Sequence, residues 1–64
     1  MFRIGEKVRV RNASSFKGIF VGDIATITDI DEKGRYHIEV KRGVFTDRGW
    51  TSYPTVKFEK IEEV

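Results

Sequence analysis

Cysteine is absent from this 64-residue chain, and histidine occurs once, at His37. Without thiols there is no disulfide framework and no thiolate site, and a single histidine cannot complete the usual Cys/His zinc cluster, so no metal is expected. No apolar run approaches the ~20 residues that a spanning helix needs. The opening MFRIGEKV places Arg3 and Gly5 before any sustained apolar stretch, so no secretory core segment is expected. The expectation is a cytoplasmic protein without membrane insertion. A glycine-rich phosphate loop and a Ser/His/Asp set with a nucleophile elbow are likewise lacking. No catalytic residue, cofactor or small-molecule substrate is therefore expected. Asp29 and Asp31, two apart, read as polar residues near a hairpin tip.

What is present is a series of short runs rich in Val, Ile, Thr, Phe and Tyr, parted by polar turns. The length fits one domain over residues 1–64, and a domain of this size buries only roughly 60% of its unfolded surface. Gly22 to Val40 is the clearest stretch. Two such runs flank Asp31, Glu32, Lys33 and Gly34, the pattern of two antiparallel strands and their turn. Gly34 suits the φ > 0 position that closes a hairpin loop built on a type I turn.

Around that hairpin, Lys7 to Asn12 predicts a first strand with Val8 and Val10 inward and Lys7, Arg9 and Arg11 outward. Asn12 to Gly22 predicts a long loop whose Phe16, Ile19, Phe20 and Val21 cannot all stay in water, so part of it folds back over the core. Asp23 to Ile30 alternates imperfectly, so either the strand is covered on both sides or a bulge or bend shifts the phase near Thr26. Tyr36, Ile38 and Val40 share one face of a third strand, with Arg35, His37, Glu39 and Lys41 on the other. His37 reads as an exposed strand residue. Val44 to Thr46 predicts a fourth strand, followed by either a tight turn at Asp47 to Gly49 or a bulge at Gly49. Pro54 interrupts the ladder, with a short helical turn near it, before a last strand through Phe58.

Five short strands with a long first loop predict an all-β, small five-stranded SH3-like barrel. The segments IGEKVRV, VGDIATITDID and YHIEV resemble the opening of SH3-like and KOW-type domains. The chain is similar in particular to the small SH3-like subunit of photosystem I, at Gly5 to Val10, Ser15 and Phe16, Gly22 to Ala25, and Phe58 to Val64. Its KRGVFTDRGWTSYP connection is shorter than that family's, and Asp23, Asp29 and Asp31 stand where a KOW segment is more basic. The resemblance implies the barrel fold, its motifs serving the fold more than a function; the expectation for the role is an accessory or regulatory protein of bacterial or phage origin.

The formal charge of +2 permits an anionic partner without requiring one. Two binding classes follow from the residues. A protein partner, met by a monomer, suits the aromatic set Phe16, Phe20, Tyr36, Trp50 and Tyr53, since aromatic side chains are disproportionately binding hot spots. The alternative is nucleic acid, with the phosphates of single-stranded DNA or RNA held by Arg3, Lys7, Arg9, Arg11, Lys41, Arg42 and Arg48. Protein interaction is favoured, because the charge excess is small and the central hairpin is acidic.

Overall fold

The apolar alternation becomes strands in the structure, a computed structural model that describes residues 2–61. Strand β1 (Lys7–Val10) buries Val8 and Val10 completely and exposes Lys7 and Arg9. It is followed by β2 (Ile24–Ile30), β3 (Tyr36–Arg42), β4 (Phe45–Thr51), the helical turn α1 (Pro54–Lys57) and β5 (Phe58–Lys60). Every neighbouring pair is antiparallel, in the order β4-β3-β2-β1-β5. The core lies on one face, where Val8, Val10, Ala25, Ile27, Ile38, Val40 and Phe58 meet Phe2 and Ile19.

Strand β2 serves two partners in succession. Its first residues pair with β1, from Arg9 opposite Ile24 to Lys7 opposite Thr26, and Thr26 to Ile30 pair with β3. The register shifts between Ile27 and Asp29. The phase break thus centres on Thr28, two residues beyond the expected position, and Thr28 Oγ1 donates to the His37 carbonyl at 3.3 Å. At the hairpin tip Gly34 N–H donates to the Asp31 carbonyl at 3.0 Å, with Gly34 at φ 76°. This is the left-handed position that the sequence assigns to glycine.

The predicted barrel does not form. The all-β, five-stranded part of that expectation holds, but the sheet is open, and no ladder joins β4 to β5 among the described residues. The resemblance to SH3-like and KOW-type domains and to the photosystem I subunit is corrected with it. Its motifs, Gly5 to Val10 and Gly22 to Ala25, specify local turns and strand starts, which an open sheet uses equally well.

The physical reason lies in β4 and β5. Strand β5 has three residues, too few for a long seam. Strand β4 turns Phe45, Asp47, Gly49 and Thr51 toward the side that faces the core in β3, and no large apolar side chain among them is buried. The first loop fills that space instead. Phe16 lies offset-parallel to Phe58 of β5, ring centroids 6.2 Å apart and planes 7° from parallel. On its other side, a Cβ added to Gly49 of β4 would stand 2.9 Å from Phe16 Cδ1 and 3.5 Å from Ile19 Cδ1. Side chains from the loop, not hydrogen bonds, bridge the two edges.

Gly49 therefore sits in mid-strand, neither in the turn nor in the bulge considered from sequence, because the loop's aromatic ring needs its missing side chain. Gly49→Ala is expected to push Phe16 outward and to destabilise the fold by about 1 to 3 kcal/mol, the usual range for overpacking. Urea unfolding checks this, and an unchanged midpoint would show that the loop is not wedged there.

Candidate functional site

The wedge creates a groove beside it. Ser15, Phe16 and Lys17 of the first loop face Arg48, Gly49, Trp50 and Thr51 of β4, and Ser52 and Tyr53 beyond it, around about 640 Å³ of space. Trp50 is 52% exposed and Tyr53 68%, whereas Phe16 is half-buried and Thr51 buried. Two cations and several hydroxyls complete the lining, which contains no carboxylate among the described residues.

Both ends of the loop wall are held by cations. At its start Lys57 of α1, only 8% exposed, donates through Nζ to Ser14 Oγ at 2.9 Å and Asn12 Oδ1 at 3.3 Å. The same ammonium stands 6.0 Å from the Phe16 ring centroid. These acceptors compensate part of the hydration lost on burying the charge. At the loop's end Arg42 of β3 bonds Asp23 and donates to the Gly18 carbonyl at 3.2 Å, with its guanidinium carbon 5.4 Å from the Phe20 ring. Its Nε lies 3.4 Å from Asp47 Oδ2, an ion-pair distance without hydrogen-bond alignment.

The other side of Trp50 is fixed by the central hairpin. Arg35 places its guanidinium carbon 5.1 Å from the indole centroid, within range for a cation–π interaction. The guanidinium is aimed in turn by Asp31, whose Oδ2 accepts from Arg35 Nε at 2.7 Å and lies 2.9 Å from His37 Nε2. Asp31 Oδ1 accepts from the backbone N–H groups of Lys33 and Arg35, at 2.9 and 3.0 Å. His37 is the largest influence holding the Asp31 carboxyl well below the usual carboxylate range. Burial opposes it, and the Arg35 and Lys33 hydrogen bonds reinforce it. His37 is thus not a solitary surface residue, and Asp31 holds the turn together.

The remaining candidates separate. Of the aromatic set, Phe16, Trp50 and Tyr53 meet at the groove, Phe20 is exposed on Arg42 outside it, and Tyr36 is a core residue at 9% exposure. Of the basic set, Arg48 lines the groove and Arg42 is engaged internally. Arg9 pairs with Glu59 at 3.4 Å across β1 and β5. Lys7 and Lys41 flank a smaller hollow of about 210 Å³ that also contains Glu39. Arg3 and Arg11 are exposed on the connections flanking β1. Ser15, Lys17, Thr51, Ser52 and Arg35 join the site or its support without having been selected from sequence. Lys17 had a signal, its position next to Phe16; Arg35 had none, because its partner Trp50 is far away in the chain.

Comparison with protein-family models, curated proteins and solved structures finds no match to this chain. Among the described residues no group of three or more His, Cys, Asp or Glu side chains is placed to hold a metal ion. No helix there is long and apolar enough to cross a membrane.

The Asp31 cluster has a pH signature. A carboxyl held lower in the folded than in the unfolded state stabilises the fold above its ordinary pKa of about 4. That contribution is lost as pH falls toward the folded-state value. Asp31→Asn is expected to lower the denaturation midpoint most near neutral pH, with the gap to the wild type narrowing steadily in acid. A gap that stays constant on acidification would contradict this assignment.

Proposed function

We propose that the chain is a non-catalytic binding module acting through protein–protein interaction, an accessory or regulatory component that works as a cytoplasmic monomer. It takes an extended segment of its partner in the groove between the first loop and β4. The observation that carries this reading is the convergence of Phe16, Trp50 and Tyr53 beside a strand edge that is unpaired among the described residues. Exposed aromatic side chains next to an arginine are the residue types in which binding energy concentrates. The cation–π contact from Arg35 supports the indole from outside the groove, so Trp50 is positioned before any partner arrives.

The nucleic-acid reading has less support. Phosphate binding needs cations that converge and are free to release counterions. Here Arg42 is committed to Asp23, Arg9 is paired with Glu59, and the others are distributed over different parts of the sheet.

The test begins with a peptide selected from a random displayed library against the wild-type protein. Trp50→Ala and Tyr53→Ala, both exposed positions, are expected to keep the folded spectrum and each to weaken that peptide by about 2 kcal/mol or more. Phe20→Ala, outside the groove, and the double variant Arg9→Glu, Arg11→Glu are expected to change affinity little. Loss of binding in the arginine double variant, with strong salt dependence, would reverse the assignment in favour of the basic surface.

A further inference from the structure

The backbone groups on the outer edge of β4 have no hydrogen-bond partner among the described residues, and the hairpin that precedes the strand determines which groups point there. Strands β3 and β4 are joined by Gly43 and Val44 alone, with Gly43 at φ 60° and no positive φ at Val44. That is the pattern of a two-residue loop with glycine first, which makes Arg42 and Phe45 the closing hydrogen-bonded pair. In an antiparallel ladder such pairs alternate. Val40 with Asp47, Ile38 with Gly49 and Tyr36 with Thr51 are then the other bonded pairs. The N–H and C=O groups of Thr46, Arg48 and Trp50 point away from β3, and no loop backbone of the described residues takes them up.

Resting on the groove as a protein-binding site, we infer that its occupant is an extended acidic segment of the partner, added to the outer edge of β4 as a sixth strand. Strand addition gives affinity through the main chain and specificity through alternate side chains. Both are available here, because Arg48 and Trp50 supply free backbone groups and also line the groove. Charge selects the occupant. Lys17 and Arg48 are the charged residues of the lining, and Arg48 is 76% exposed with its nearest carboxylate, Glu39, at 3.9 Å. Acidic side chains of the added strand meet these two cations, while its alternate apolar side chains lie beside Phe16 on the core side of β4 and beside Trp50 on the other side.

The same charges argue against a second copy of this chain. A two-fold pairing of β4 with β4 centred near Arg48 sets Arg48 against its own equivalent, and like charges directly opposite are destabilising. The other edge is a poorer template, since β5 is three residues long and carries Glu59 and Lys60. Short, charged edges discourage pairing.

The experiment uses the whole chain and a displayed library of short random peptides, followed by a synthetic copy of an enriched sequence and the same peptide N-methylated at alternate residues. Enrichment of aspartate and glutamate around an apolar residue is expected, with slowed exchange of the Thr46, Arg48 and Trp50 amides on binding. N-methylation in the pairing register, and Arg48→Glu in the protein, are each expected to weaken binding about tenfold or more, equivalent to ~1.4 kcal/mol. If the N-methylated peptides bind as tightly while Trp50 and Tyr53 still shift, the groove remains a peptide site and the added strand is rejected. Enrichment of lysine and arginine, or displacement of the peptide by oligothymidylate at lower concentration, overturns the acidic partner. Protection of the β4 edge in a concentration-dependent dimer without peptide assigns the edge to a second copy. Absence of any enriched peptide removes both this inference and the function it rests on.

Discussion

The position of the Phe16 ring is the constraint on which the rest of this structure depends. The ring occupies the interval between β4 and β5, resting on Phe58 and on the bare backbone of Gly49. With so few residues the sheet lacks enough apolar surface of its own on β4, and the loop supplies it. One aromatic contact thereby does what a closing ladder does elsewhere, covering the core where the two edges stand apart. Phe58 takes part in a further edge contact with Phe2, centroids 6.1 Å apart and planes at 86°, so the N-terminal segment is tied to the same point.

Electrostatics then fix what packing leaves loose. Lys57 and Arg42 hold opposite ends of the loop through carbonyl, amide, hydroxyl and carboxylate acceptors. Asp31 performs a similar service at the hairpin, where one carboxylate accepts from two backbone donors and orients Arg35 toward Trp50. Exposed pairs such as Arg9 with Glu59 are of a different kind, since interactions of that sort contribute about 0.2 to 1 kcal/mol. The interactions that matter for the groove are those joining side chains to backbone, because they specify a loop path.

Much of the sheet was legible in the sequence because it is written locally. The alternation Val8, Val10 and Tyr36, Ile38, Val40 fixes inward faces within one strand, and the Asp31 to Gly34 tetrad marks its own turn. Closure is not legible in the same way because it is not local. Whether β4 meets β5 depends on what fills the space between them, and that is a loop residue whose partner glycine is far along the chain. The groove was half legible for the same reason. Aromatic residues could be nominated one by one, but only the fold separates Tyr36 in the core from Trp50 on the surface. Lys57 illustrates the limit most clearly, since its place in the alternation with Val56 and Phe58 gives no hint of its burial under Asn12 and Ser14.

The central hairpin and the groove also differ in when they can exist. Strands β2 and β3 are joined by a turn that Asp31 organises within a few residues, so their pairing needs little loop closure. The groove's walls come from opposite ends of the chain and meet only after Phe16 has found both Gly49 and Phe58. Contacts of such high sequence separation carry a loop-closure entropy that local ones avoid. A molecule that fills the groove therefore recognises the completed chain and has no purchase on partly formed states. By mass action its binding draws the population toward the native state, making occupancy and maturation of the fold a single linked equilibrium.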